Sequence, residues 1–298
     1  MNAPDAIARF GSGKAVLRIE DRALLQGLGR FTDNVPVVGQ TVIAFLRSPH
    51  VHARIVGIDA SAARALDGVL AVYTGADLVA AGVKPMPGAA GFVRTDGRTV
   101  TPDRHGLAHQ FARYVGEAVA AVVATTRDVA RDALEAIVVD YEDLPAVVEV
   151  TAATMPGAPA LVADAPDNLC AELRHGDADA AAKAFARAAH RVSLDIVNQR
   201  LAPAPMEPRS IVASFDESTG RIEVRISNQM PTAVAEGIAG AIGFKQEQVH
   251  VVVGDVGGGF GMKTGPYPED IVVAFAASQL KRPVRWQAER AEDFLSAS

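Results

Sequence analysis

The sequence predicts an α+β fold in roughly two domains. Three observations carry this. Ala118 to Ala124 is a continuous run of small apolar residues, the pattern of a strand buried on both faces. Ile211 to Phe215 and Arg221 to Ser227 flank a short connection ending in Gly220, a hairpin pattern. Pro231 to Ile242, stopped by Gly243, reads as a helix with proline in its first turn and glycine at its end. The chain has 298 residues, 49% hydrophobic and 21% charged, so it can fill a core and is not disordered throughout.

In chain order, residues 1–17 read as an N-terminal arm. Residues 18–150 read as a first domain, 151–176 as a linker rich in Pro, Ala and Asp, and 177–298 as a second domain. In the first domain, Thr41 to Arg47, Ala53 to Ile58 and Val69 to Thr74 have the composition of strands, with a short helix from Ser61 to Leu66. Gly82 to Arg104, rich in Gly and Pro, reads as a surface excursion. After the strand Ala118 to Ala124, Thr125 to Asp128 can cap a helix running to about Ala136, and Ile137 to Tyr141 is a further strand. A parallel crossover is the natural connection for such a strand–helix–strand unit, although strand direction is not encoded locally. In the second domain, Asp177 is placed to cap an alanine-rich helix, and Arg191 to Asn198 alternates like a strand. Val249 to Val253 reads as a buried strand, Pro268 to Leu280 as a helix and Val284 to Gln287 as a last strand.

Several function classes are disfavoured. The net charge is -6 without a basic stripe, which argues against nucleic-acid binding. No apolar run has transmembrane length and the N-terminus lacks a signal core, so a cytoplasmic location is expected. The single cysteine, Cys170, cannot form an internal disulfide or hold an iron–sulfur cluster. His50 and His52 lack a third ligand, and no metal-ligating set is expected.

The most informative stretch is Gly254-Asp255-Val256-Gly257-Gly258-Gly259-Phe260-Gly261-Met262-Lys263, directly after a strand. Successive glycines stabilise neither helix nor strand, but they let backbone N–H groups approach a ligand. A helix starting beyond would add partial positive charge. Such a loop suits an anionic or strongly polar cofactor; a tight turn without a ligand is the alternative. A phosphate-binding P-loop needs glycine where Met262 stands, although Lys263 and Thr264 fit. A dinucleotide fingerprint fails at Met262 or Thr264, depending on the register.

Val256 to Lys263 resembles the molybdopterin-contacting loop of the xanthine dehydrogenase and aldehyde oxidase family, which includes the large subunit of aerobic carbon monoxide dehydrogenase. Asn228-Gln229-Met230-Pro231, Pro205-Met206-Glu207-Pro208-Arg209 and Arg113-Tyr114-Val115-Gly116-Glu117-Ala118-Val119-Ala120 are similar to further boxes of that family, in the right order. Arg18-Ile19-Glu20-Asp21 and Phe31-Thr32-Asp33-Asn34 match its start.

The resemblance implies an α/β hammerhead domain followed by the first, incomplete part of a mixed α/β molybdopterin-binding domain. It implies a molybdenum–pterin cofactor, in the cytosine dinucleotide form usual in bacteria, contacted by Gln229, Gly258, Gly259, Phe260 and Gly261. Met262 and Thr264 would line the substrate pocket, and Glu207 would be a structural carboxylate. The implied reaction hydroxylates an aldehyde or a carbon beside a heterocyclic nitrogen, with water as oxygen source. Its general base is expected in a C-terminal half beyond this chain, so none of these residues is assigned as catalytic. Iron–sulfur clusters and FAD are expected in partner subunits, and a complementing chain is needed for competence. Thr264 stands where purine-oxidising members carry glutamate, which argues against xanthine. Two alternatives remain at this stage: a truncated or structural subunit without cofactor, and a nucleotide-binding enzyme using the glycine loop.

Overall fold

A computed structural model describes residues 17–86, 93–199 and 201–297. The N-terminal arm, apart from Leu17, and part of the Gly82 to Arg104 excursion lie outside the described residues. The elements are α1 (Asp21–Leu25), β1 (Thr41–Arg47), β2 (Ala53–Asp59), α2 (Ser61–Arg64), β3 (Val69–Thr74), α3 (Gly75–Ala80), β4 (Phe111–Ala112), β5 (Ala118–Ala124), α4 (Arg127–Glu135), β6 (Val138–Asp143), α5 (Val150–Ala153), α6 (Ala178–Arg187), β7 (Ser210–Asp216), β8 (Arg221–Ile226), α7 (Pro231–Ile242), β9 (Val249–Val252), α8 (Pro268–Leu280), β10 (Val284–Gln287) and α9 (Arg290–Ser296).

A seven-stranded sheet has the order β3-β5-β1-β10-β7-β8-β9, and a three-stranded sheet the order β4-β2-β6. The run Ala118–Ala124 is buried at every position because it lies inside the large sheet, between β3 and β1. One face carries α8 and α7, packed over Ile43, Phe45, Ile211, Ile222, Val224 and Trp286. On the other face, α4 covers Ala120, Val122 and Ala124 with Ala130 and Ala133. Thr126 starts α4 by accepting from the Val129 N–H at 3.2 Å. Gly243 ends α7 in the left-handed region, at φ 76°, which favours glycine.

The unit β5–α4–β6 is not a parallel crossover. β5 belongs to the large sheet, whereas β6 pairs antiparallel with β2 in the small one. The strand expected at Arg191 to Asn198 does not form, and its backbone makes no backbone hydrogen bond among the described residues. Nor is the Gly82 to Arg104 stretch merely superficial, since Val83, Met86, Arg94 and Val100 are buried.

The large sheet joins sequence regions far apart: β1 runs parallel to β10, with Thr41 beside Val284 and Val42 beside Arg285. A buried ionic cluster reinforces this junction. Arg47 pairs with Glu269 and Glu292, each at 2.9 Å. Arg209 pairs with Asp293 at 2.9 Å and Glu269 at 3.3 Å. Its guanidinium stacks 4.1 Å from the Tyr267 ring centroid. Burial pulls the Glu269 carboxyl upward, but Arg209 and Arg47 hold it below its ordinary value. Asp270 has no such direct cation, and burial, aided by the Glu269 charge, pushes it up to about 7.

That shift has a defined sign. The raised pKa means the folded state keeps a proton that the unfolded chain has already lost, so stability falls as pH rises from the ordinary carboxylate range through about 7. Asp270→Asn keeps an acceptor for the Tyr267 N–H, which Asp270 binds at 2.8 Å. The variant is expected to match wild type in urea denaturation at pH 4 and to exceed it by a few kcal/mol at pH 8. A difference that does not vary with pH contradicts this assignment.

Candidate functional site

The glycine-rich loop links β9 to α8. Gly257 sits where the chain crosses Glu207: a Cβ there would lie 2.5 Å from the Glu207 Cβ. This contact is locked by hydrogen bonds. The Gly257 N–H donates to Glu207 Oε2 at 2.8 Å, and the Glu207 N–H donates to the Gly257 carbonyl at 3.2 Å.

Lys263 fastens the same point from inside. It is fully buried, and its Nζ donates to the Glu207 carbonyl at 2.8 Å, Glu207 Oε2 at 3.1 Å and Ser227 Oγ at 2.7 Å. Burial lowers the ammonium pKa, opposed by Glu207. All three ammonium protons are thereby used. Lys263 cannot serve a bound phosphate as a P-loop lysine does, and the nucleotide reading loses its residue. Glu207 acts as the structural carboxylate expected, though its Oε1 is buried without a hydrogen-bond partner among the described residues.

Gln229 lies between β8 and α7 and reaches the loop. Its N–H donates to the Lys263 carbonyl at 2.7 Å, and its Oε1 accepts from the Gly261 N–H at 3.1 Å. That donor fixes the carboxamide orientation: oxygen faces the loop and the Nε2 donor is left over. Nε2 has no hydrogen-bond partner among the described residues, and Gln229 is exposed. Asn228 steadies this segment, donating to the Gly265 carbonyl at 2.9 Å and accepting from the Met230 N–H at 2.7 Å.

Gly259 is glycine because Gln229 lies on it: a Cβ would sit 2.4 Å from the Gln229 Cδ. The N–H groups of Gly258, Gly259 and Phe260 have no hydrogen-bond partner among the described residues. Nothing lies within 4 Å of a Cβ placed on Gly261, so that side of the loop is open. Phe260 holds a left-handed φ of 52° and is 74% exposed. Thr264 is exposed and braces the bend by donating from Oγ1 to the Gly261 carbonyl at 2.9 Å.

Two expectations need correction. Met262 is 1% exposed, so its side chain supports the loop from the core and does not line an open face. Its carbonyl accepts from the Tyr267 hydroxyl at 2.6 Å. The α8 N-terminus is not turned to a ligand either, because Asp270 caps it within the core. The donors on offer are therefore loop amides and Gln229 Nε2. Sequence reasoning missed the Lys263, Ser227 and Glu207 clamp. The sequence marks Glu207 as structural, but its partners lie 20 and 56 positions away in the chain.

Residues 26–145 match the family model described as the aldehyde oxidase and xanthine dehydrogenase a/b hammerhead domain, and residues 161–298 match the molybdopterin cofactor-binding domain. The chain belongs to the xanthine dehydrogenase and aldehyde oxidase family. Within that family it is 36% identical to the nicotine 6-hydroxylase large subunit of Paenarthrobacter nicotinovorans, over 98% of this chain and 35% of the relative. It is 35% identical to the carbon monoxide dehydrogenase large chain of Afipia carboxidovorans, over 97% of this chain and 36% of that one. The solved quinoline 2-oxidoreductase of Pseudomonas putida 86 superposes with a TM-score of 0.84 at 36% identity, over 96% of this chain and 36% of that one. The chain thus spans just over a third of the length of the relatives it matches. No helix among the described residues is long and apolar enough to cross a membrane.

Proposed function

We propose that this chain supplies one wall of the molybdopterin site in a molybdenum hydroxylase that oxidises an aldehyde or an N-heterocycle, with water as oxygen source. The observation that carries the reading is the row of N–H donors at Gly258, Gly259 and Phe260 that have no partner among the described residues, set beside the likewise unpartnered Nε2 of Gln229. This donor set fits an oxygen-rich, anionic group, and the glycines leave room for it. When bound, a molybdenum–pterin group supplies two-electron oxidation of a carbon centre.

The chain's own part is to bind and orient. The Gln229 carboxamide is neutral, so it donates to an oxygen without competing as a metal ligand. Its oxygen, tied to Gly261, keeps Nε2 facing outward. Gly258, Gly259, Phe260 and Gly261 form the cradle, and Thr264 presents its exposed edge towards substrate. The cytosine dinucleotide form of the cofactor is part of this proposal. The general base and the rest of the pocket belong to large-subunit sequence outside these 298 residues. With one cysteine in this chain, iron–sulfur clusters and FAD reside in partner subunits.

Expression of the large subunit that contains these residues, together with those partner subunits, tests the reading by molybdenum analysis. Near-stoichiometric molybdenum is expected, falling at least tenfold in Gln229→Ala. A fully assembled complex without molybdenum favours a non-catalytic structural subunit instead.

A further inference from the structure

A small internal chamber lies beside the Lys263 clamp, where the start of β7, the end of β8 and the first turn of α8 meet. Its polar walls are Arg209, Ser210, Ser227, Asn228, Lys263 and Asp270, each at most 4% exposed or, for Ser227, 2% exposed. Most of their polar side-chain atoms are committed. Arg209 is tied to Asp293, Glu269 and Ser296. Lys263 Nζ is shared between Glu207 and Ser227, and the Ser227 hydroxyl bonds Glu207 in turn. Both ends of the Asn228 carboxamide are bonded, to the Gly265 carbonyl and the Met230 N–H.

Ser210 is the exception. It is 2% exposed, and its Oγ has no hydrogen-bond partner among the described residues. Asp270 accepts the Tyr267 N–H on Oδ2, and its Oδ1 takes no hydrogen bond among the described residues. A buried hydroxyl without a partner is costly, so native structures answer such groups with protein or with ordered water.

Size and charge select the occupant. The chamber has a volume of about 10 Å³. A cavity of roughly 10–15 Å³ holds one water when two to four polar partners surround it. Anything larger does not fit. Arg209 and Lys263 stand in the wall, and their positive charges oppose a metal cation. An apolar occupant would leave Ser210 unanswered. Water both donates and accepts, so it serves the Ser210 hydroxyl and also the Asp270 carboxyl, with or without its proton.

We infer that this chamber is a binding site for a single water molecule, held by Ser210 Oγ and the Asp270 carboxyl. The water ties the first residue of β7 to the first turn of α8. It does so beside Asn228, whose side chain fastens the exit of the glycine loop at Gly265. The water site does not depend on the cofactor.

High-resolution diffraction from crystals of the large subunit assembled with its partner subunits tests this. One density peak is expected about 3 Å from both Ser210 Oγ and an Asp270 carboxyl oxygen. An empty chamber, or Ser210 Oγ turned to a protein acceptor, overturns the proposal. So does a peak with several oxygen ligands at about 2.3–2.6 Å, the spacing of a bound cation. Ser210→Ala adds an independent reading without adding bulk. Where water is bound, the variant strips it of a partner, and the melting temperature of the large subunit is expected to fall by about 2–4 °C. In a dry chamber the same change only removes an unpaired buried hydroxyl, so an unchanged or raised melting temperature overturns the water. Molybdenum is measured in the same samples. Molybdenum bound beside an empty chamber overturns the water and leaves the cofactor reading standing. A filled chamber in an assembled enzyme without molybdenum upholds the water and overturns the cofactor reading.

Discussion

Lys263→Met is expected to cost about 3–5 kcal/mol of folding stability, the range for removing one member of a buried ion pair. The methionine fits the space but leaves Ser227 Oγ, the Glu207 carbonyl and Glu207 Oε2 without the ammonium that all three now share. Glu207 already has one buried oxygen without a partner, so the loss leaves a carboxylate answered only by the Gly257 N–H and the Ser227 hydroxyl. Adding Glu207→Gln removes the stranded charge. The double variant is therefore expected to be more stable than the sum of the single effects predicts, with a coupling of at least about 1 kcal/mol. Urea denaturation of the four species measures this. Strict additivity would show that the clamp is not an energetic unit.

Gly259→Ala is expected to act on binding rather than folding. The added methyl group would lie 2.4 Å from the Gln229 carboxamide, which must swing away and give up its bond from Gly261. Gln229 is an exposed, flexible side chain, so the fold absorbs the change at small cost. The outward donor is lost, and molybdenum content of the assembled complex should fall at least tenfold. Gly240→Ala is the matching control. It lies in α7 with nothing within 4 Å of its Cβ position, so molybdenum content should not change and stability should rise by about 0.5–1 kcal/mol. Equal effects of the two substitutions would show that the response is general destabilisation.

Much of the fold was legible because its signals are local. The run Ala118–Ala124 needed only its own composition to be read as a buried strand, and the β7–β8 hairpin only its turn. Pro231 and Gly243 marked both ends of α7. What failed was pairing at a distance. Nothing around Thr41 announces Val284 as its neighbour, and nothing around Val138 says that this strand leaves the sheet of β5. Alternation at 191–198 reads as a strand, but no strand forms there among the described residues. At the site, the glycines and Gln229 were visible as a motif, whereas the direction of Lys263 was not. Its side chain turns inward because Glu207 and Ser227 meet it there, and Met262 turns inward with the same bend. Short elements such as α3 escaped as well, although the Thr74–Asp77 capping box was present in the sequence.

The central claim is that the bend at Gly258–Gly261 and the carboxamide of Gln229 face the metal centre. An anomalous-difference map recorded at the molybdenum edge, from crystals of the assembled complex, locates that centre directly. A single strong peak is expected next to Gln229, with Nε2 about 3 Å from an oxygen ligand of the metal. A peak in another part of the large subunit, with Gln229 in contact only with solvent or protein, would contradict the account.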